Sequence, residues 1–155
     1  MTIARILATK GHDVVSAQPH RTLLEISEIL AQRRIGAVVI TGANGDLLGI
    51  LSERDIVRAI GQGGVHALDD PASSHMTINV ITITEDVTVL DAVERMNAGR
   101  FRHMPIMKNG RLDGLISIGD VVKFRLAEIE REQSAMREYI GTAGSSEGDA
   151  PSAAS

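Results

Sequence analysis

A hydroxyl and a carboxylate recur at the same spacing at two places in this chain. Ser52 stands three residues before Asp55, and Ser117 stands three residues before Asp120. Each pair follows an apolar segment at the point where a strand should end and a helix begin, and the unpaired N–H groups of a helix N-terminus favour an anion. A serine hydroxyl can contact phosphate, and an ionised aspartate can accept both hydroxyls of a ribose. The spacing therefore suits a nucleotide.

The same spacing has a second interpretation, helix capping. Each serine can cap the helix that it precedes, with the aspartate as the reciprocal acceptor. The pairs Thr22/Glu25 and Thr88/Asp91 have the same capping pattern, and nothing about them implies a nucleotide. Capping and ligand binding are compatible, so both interpretations stay open from the sequence.

The two motifs belong to an internal repeat that covers most of the chain. Gly49 recurs as Gly114, 65 residues later, and Thr22 recurs as Thr88 at an offset of 66. The second copy lacks one residue in the loop between its last two strands. A glycine-containing hairpin loop tolerates such a deletion because it is exposed and glycine accepts positive φ. The sequence therefore predicts one structural unit made twice.

Each copy is predicted to run strand, helix, strand, strand, helix. In the first copy these elements are an extended segment at 13–17, a helix after Thr22, strands at 37–41 and 47–51, and a helix from Ser52 to about residue 60. In the second they are an extended segment at 80–83, a helix after Thr88, strands at 103–107 and 112–116, and a helix from Ser117. Residues 61–75, rich in Gly, Asp and Ser, are predicted to form a linker.

The last helix is predicted to be much longer than its counterpart. No helix breaker occurs from Ser117 to Gly141, and apolar residues recur at a heptad-like spacing with one polar interruption: Val122, Leu126, Ile129, Gln133, Met136 and Ile140. Such a stripe suits a second copy of the chain, or it folds back onto its own chain. Residues 141–155 have the composition of a disordered tail.

Composition excludes several classes of protein. The 155 residues carry a net charge of −4 with both signs interspersed, which argues against a duplex nucleic-acid binder. With Phe101, Phe124 and Tyr139 as the only aromatic residues, any bound base is expected to lie between aliphatic side chains. The chain has no cysteine, no apolar run long enough for a membrane span and no secretory signal pattern, which together predict a cytoplasmic protein.

The duplicated pattern resembles a tandem pair of cystathionine β-synthase (CBS) domains, the Bateman module of stand-alone bacterial-type proteins. The resemblance rests on the extended segments 14–15 and 80–81, the segment 101–105, and the two Gly-x-x-Ser-x-x-Asp motifs. It implies an α+β fold of two β-α-β-β-α units packed about a pseudo-two-fold axis, with an extended C-terminal helix. The expected divisions are repeat 1 at 1–64, repeat 2 at 65–128, a helix extension at 129–140 and the tail at 141–155.

The family binds adenosine compounds such as AMP, ATP, NAD or S-adenosylmethionine in two clefts between the repeats. Carried over by position, Asp55 and Asp120 would hold ribose, while Ser52 and Ser117 would contact phosphate. The other expected ligand-binding residues lie beside these motifs or open the strands of each repeat: Val15, Ile35, Gly36, Ala37, Arg54, Ile81, Arg102, His103, Met104 and Ile118.

The resemblance also implies that the clefts differ and that the chain forms a homodimer. One cleft has Arg102 and His103, whereas the other has Arg54 within its motif. A mononucleotide is therefore expected in one cleft, and a dinucleotide is expected to span into the other. The predicted function is a nucleotide-sensing regulatory module without catalysis. The alternative is a regulatory subunit that docks in trans on an enzyme or transporter. Catalytic residues and a metal site are not predicted, since the five histidines have no metal-ligand spacing.

Overall fold

The computed structural model describes residues 1–148, with side chains up to residue 141. Its residues divide into one compact unit, Met1–Ile118, and a second that begins at Gly119. The helices are α1 (Ile3–Lys10), α2 (Leu23–Arg33), α3 (Glu53–Gly63), α4 (Val89–Gly99) and α5 (Ile118–Gly148). The strands are β1 (Ser16–Ala17), β2 (Ala37–Thr41), β3 (Leu47–Ser52), β4 (His103–Lys108) and β5 (Arg111–Ser117). This mixed α+β architecture confirms the predicted fold class.

The first repeat forms a three-stranded sheet in which β1 pairs parallel to β2 and β2 pairs antiparallel to β3. Thr22 caps α2 in a complete capping box with Glu25, as predicted. The hydrogen bond from the Thr22 backbone N–H, followed by that from Arg21, lowers the pKa of the Glu25 carboxyl. α2 and β2 bury their apolar side chains in one core, among them Leu23, Ile26, Val38 and Ile40.

The second repeat forms a two-stranded antiparallel sheet of β4 and β5. Asn109 and Gly110, at φ 52° and 76°, make the predicted tight hairpin turn between these strands. The prediction of a strand at 80–83 was wrong, because only Ile83 pairs, through an isolated parallel bridge to Ile106. At α4, Thr88 accepts from the backbone N–H of Asp91, but the Asp91 carboxylate pairs with Arg95 at 2.9 Å instead of completing a capping box.

Helix α1, which the sequence pattern did not predict, packs on the second repeat although it precedes the first. The Ile3 backbone N–H donates to Val87 O at 2.9 Å, and Ala4 N–H donates to Glu85 O at 2.9 Å. Ile3 and Leu7 are almost completely buried. The chain therefore covers its second repeat with its first eight to ten residues.

The segment between the repeats makes the reciprocal contact with the first repeat. Leu23 N–H donates to Asp70 O at 3.0 Å, and Ala72 N–H donates to Arg21 O at 2.7 Å. Ala67 and Ala72 belong to the core of the first repeat. The predicted linker is thus structured, as two 3-10 helices at Val65–Asp69 and Ala72–Ser74. Each repeat is covered by the segment that leads into the other.

Gly49 and Gly114, which occupy equivalent positions in the two repeats, each lie close to one of these leading segments. A Cβ added to Gly49 would lie 2.7 Å from Thr77 O and 2.9 Å from the Met76 sulfur. A Cβ added to Gly114 would lie 3.0 Å from a methyl carbon of Leu7. Because glycine has no side chain, residues 76–77 can pack against β3 at Gly49, and Leu7 of α1 can pack against β5 at Gly114.

Helix α5 carries the predicted apolar stripe on an exposed surface. Val122, Leu126, Met136 and Ile140 are each more than half exposed. The helix continues past Gly141 to Gly148, where the sequence predicted a disordered tail. One glycine costs a helix only about 1 kcal/mol relative to alanine, which does not end it. Residues 149–155 of that predicted tail lie outside the described residues.

Among residues 1–148, none of the helices combines the length and the apolar character that a membrane span requires.

Candidate functional site

A cavity of about 360 Å³ lies between the two repeats, within the unit Met1–Ile118. We call it the inter-repeat pocket. The first repeat contributes Gly36, Ile50, Ser52, Glu53, Arg54, Asp55 and Arg58, and the segment leading into the second contributes Thr77, Asn79, Val80 and Ile81. The end of α4, the turn after it and the start of β4 complete it with Gly99, Arg100, Phe101, Arg102 and His103. Its volume is in the range of small-molecule sites.

Ser52 and Asp55 form the capping box at the start of α3, which confirms the capping interpretation. Asp55 Oδ2 accepts from the Ser52 backbone N–H at 2.8 Å and from the Ser52 hydroxyl at 3.1 Å. Its other oxygen, Oδ1, faces Arg58 Nη1 at 3.4 Å. Asp55 is 7% exposed, yet its carboxylate borders the pocket. The helix cap thus fixes the position of the Asp55 carboxylate at the wall of the pocket.

The pocket is positively charged within an acidic protein. Four arginines face two carboxylates, which gives a formal charge of +2 with His103 neutral, against −4 for the whole chain. Arg54 and Arg58 come from α3, and Arg100 and Arg102 come from the turn after α4. The sequence analysis predicted Arg54 and Arg102 but missed the other two. Arg58 could have been found from its position three residues after Asp55, on the same face of a helix.

One side of the pocket is apolar and includes an aromatic ring. Phe101 lies beside Val80, Ile81 and Ile50 in the pocket lining. A Cβ on Gly99 would lie 2.2 Å from the Phe101 ring, so only glycine lets that ring fold back over the end of α4. The sequence analysis expected aliphatic side chains around a base, whereas the lining of this pocket also includes Phe101. The sequence signal for this ring position was Gly99, which stands two residues before Phe101.

Gly36 lies beside the pocket at a point that side chains of both repeats approach. A Cβ there would lie 3.1 Å from Glu53 Oε1 and 3.2 Å from His103 Nε2. A carboxylate of the first repeat and an imidazole of the second therefore approach the same point. The prediction grouped His103 with the second motif, whereas the structure places it with the first.

The remaining predicted residues lie elsewhere. Ala37 and Met104 are buried in β2 and β4, and Val15 and Ile35 pack on the core of the first repeat. None of these four lines the inter-repeat pocket. Ser117 ends β5, Ile118 begins α5, and Asp120 lies in the first turn of α5. Their ligand roles stay predictions.

Within the described part of the chain, no group of three or more His, Cys, Asp or Glu side chains is placed to hold a metal ion.

Comparison with known proteins finds the same architecture. Residues 5–62 and 72–127 match the family model of the CBS domain. An uncharacterized 17.7 kDa protein of Acidianus ambivalens is 34% identical over 122 residues, which are 78% of this chain and 71% of that protein. A CBS domain-containing protein of Arabidopsis thaliana is 33% identical over 110 residues, but this chain spans only 20% of its length.

Solved structures of CBS proteins also resemble the chain. A CBS-domain containing protein from Agrobacterium tumefaciens has 44% identity and a TM-score of 0.79, over 81% of this chain and 99% of that one. The CBS domain pair of protein MJ0100, solved with 5′-methylthioadenosine and S-adenosyl-L-methionine, has 24% identity and a TM-score of 0.71, over 80% and 98%. At that identity the second likeness concerns the fold.

Proposed function

The chain belongs to the CBS-domain family, with two CBS domains in tandem, and from that premise we propose that it is a regulatory module that binds an adenine nucleotide. The proposed ligand is AMP, ATP or NAD(H), held in the inter-repeat pocket without chemical change. One observation carries the proposal: a cavity between the repeats combines an apolar side, a buried aspartate and an excess of arginine. The methylthioadenosine and S-adenosylmethionine of the solved CBS pair are likewise adenosine compounds.

The contacts of Asp55 suggest how a ribose is held. Its Oδ2 is occupied by the helix cap, so ribose hydroxyls are expected to donate to Oδ1. Arg58 faces that oxygen at a long 3.4 Å, and its side chain is 63% exposed, so it can move towards solvent. Phe101 and Ile81 supply an apolar surface for the base.

The proposed signal is a shift between conformations. A nucleotide that touches α3 of the first repeat and the turn at Arg100–Arg102 of the second favours the packing that presents both surfaces. The units of that module are the proposed repeats at 1–64 and 65–128, with the helix extension at 129–140. The second motif, Ser117 with Asp120, is proposed as a second and unequal site, since Gly119 stands where the first motif has Arg54.

Replacing Asp55 by asparagine is the direct test. An amide oxygen can still accept from the Ser52 backbone N–H, so the helix cap is largely kept while the negative charge is lost. We expect affinity for AMP or NADH, measured by calorimetry, to fall about 5- to 150-fold, the equivalent of about 1–3 kcal/mol for a charge-assisted hydrogen-bond pair. Ligand should also raise the melting temperature of the wild type more than that of the variant.

Glu25→Gln is the matched control, because Glu25 occupies the same position in the capping box of α2 but does not line the pocket. It should bind nucleotide like the wild type. If Asp55→Asn also binds with wild-type affinity, the ribose assignment is wrong.

We further propose that the module is a homodimer. Equivalent positions of the two repeats, of which Val122 is also part of the α5 stripe, expose apolar side chains: Leu24 and Leu90 are 45% and 69% exposed, and Val57 and Val122 are 69% and 52% exposed. Monomeric proteins avoid extended apolar patches of this kind. Repetition of the exposed positions in both halves suits a partner with the same repeat, namely a second copy.

A carboxylate placed on the α5 stripe should weaken that dimer. Met136, 61% exposed, is in the stripe, whereas the exposed Ser134 lies about a third of a turn away from it. We expect Met136→Glu to raise the dimer dissociation constant at least tenfold and Ser134→Glu to leave it unchanged, as measured by light scattering over a dilution series. If both variants remain dimers, the faces of the repeats suffice. A wild-type monomer at micromolar concentration would contradict the proposal and favour docking in trans on another protein.

A further inference from the structure

We infer that the inter-repeat pocket selects its ligand by phosphate charge and takes nucleoside di- and triphosphates in preference to uncharged or cationic adenosine compounds. This inference rests on the proposed function and adds the class of ligand. It departs from the ligands of the solved CBS pair, since methylthioadenosine is uncharged and S-adenosylmethionine carries a sulfonium cation.

The number and origin of the arginines carry the inference. Asp55 partly neutralises Arg58, at 3.4 Å, which leaves Arg54, Arg100 and Arg102 against the single carboxylate of Glu53. A monophosphate would engage few of these groups. A chain of two or three phosphates offers more charge and more oxygens to guanidinium groups from both repeats, and guanidinium is the side chain best suited to phosphate oxygens.

The same charges disfavour a cationic ligand. A sulfonium group in this cavity would meet an excess of positive charge, with Glu53 as the one carboxylate outside the Asp55–Arg58 pair. Because the arginines are exposed, salt screens each interaction, and the selectivity depends on several of them acting together.

Glu53 is expected to act in the opposite direction from the arginines. Its Oε1 lies 3.1 Å from the ideal Cβ position of Gly36, at the pocket wall, so it adds a negative charge on the ligand's path. Replacing it with glutamine should raise affinity for ADP about threefold, the effect of one charge at about 6 Å in water. Affinity for adenosine should not change.

The test compares adenosine compounds that carry no phosphate, two or three phosphates, or a sulfonium group, by calorimetry on the full-length protein without magnesium. We expect ADP and ATP to bind at least tenfold more tightly than adenosine, with S-adenosylmethionine weakest, and this difference to shrink in high salt. Arg54→Gln combined with Arg102→Gln should remove most of the difference by weakening the binding of ADP and ATP. Arg102→Lys should keep more of it than Arg102→Gln, and Arg111→Gln, an exposed arginine outside the pocket, should keep all of it.

Inorganic tripolyphosphate separates failure of this inference from failure of the proposed function. If adenosine or S-adenosylmethionine binds as tightly as ADP and still requires Asp55, the charge selection is wrong and nucleotide binding stands. If tripolyphosphate binds and requires Arg54 and Arg102 while adenosine adds nothing, the charge selection stands and the nucleoside assignment fails. If neither adenosine compounds nor tripolyphosphate bind, both are overturned.

Discussion

Leu7→Ala is expected to lower the free energy of unfolding by about 2–5 kcal/mol, the usual cost of truncating a fully buried leucine. Leu7 is 1% exposed, and its methyl carbon approaches Gly114 in β5 of the second repeat. The loss should appear first in that repeat, because α1 covers β5 while the first repeat keeps its own covering segment. Urea unfolding gives the energy, and amide hydrogen exchange of β2 and β4 shows which sheet opens first.

Val65→Ala serves as the control, since Val65 begins the 3-10 helix Val65–Asp69 and is 66% exposed. It should change stability by less than about 1 kcal/mol. Faster exchange in β2 than in β4 of the Leu7 variant would show that α1 does not act through the second repeat.

Gly49→Ala is the second large expected effect. The new methyl group would lie 2.7 Å from Thr77 O, and this backbone oxygen is fixed by its hydrogen bond from Ile50 N–H at 3.1 Å. The strand or the leading segment must shift, which we expect to lower stability by about 1–3 kcal/mol or more, as other overpacked sites do. Displacing Thr77 should also weaken nucleotide binding, because Thr77 lines the pocket.

Two other glycines calibrate this result. Gly114→Ala meets only the flexible end of Leu7 at 3.0 Å and should cost less than Gly49→Ala. Gly61 lies in helix α3, and a Cβ added to it would meet nothing within 4 Å. Gly61→Ala should therefore leave the free energy of unfolding unchanged or raise it by up to about 1 kcal/mol. Equal losses at Gly49 and Gly61 would mean that close approach of the leading segment does not explain Gly49.

Residue patterns that span only a few positions predicted two helix caps and one hairpin turn correctly. The capping boxes at Thr22 and Ser52 need only residues three apart, and the turn at Asn109 and Gly110 follows from the ease with which these residues adopt positive φ. The internal repeat then extended these assignments to the strands of both copies. Contacts within about ten residues of one another were therefore readable from the sequence.

Contacts between distant segments were not readable in this way. Nothing in the pattern of residues 3–10 tells that they pack against residues about a hundred positions later. For the same reason, Arg102 and His103 were assigned by sequence position to the second motif, whereas the fold brings them beside Ser52 and Asp55. At 80–83 the apolar run suggested a strand, but the segment has a partner only at Ile83.

The reciprocal covering of the repeats bears on how such a chain arises. A polypeptide with one repeat and its leading segment would have an apolar helix without a receiving surface, and a sheet without a cover. Two identical copies complete each other by trading leading segments, as in a domain-swapped dimer. Fusing two such genes places both halves in one molecule without creating any new contact. The crossed packing of α1 and of residues 65–77 is the arrangement that fusion of two such swapped copies would leave in one chain.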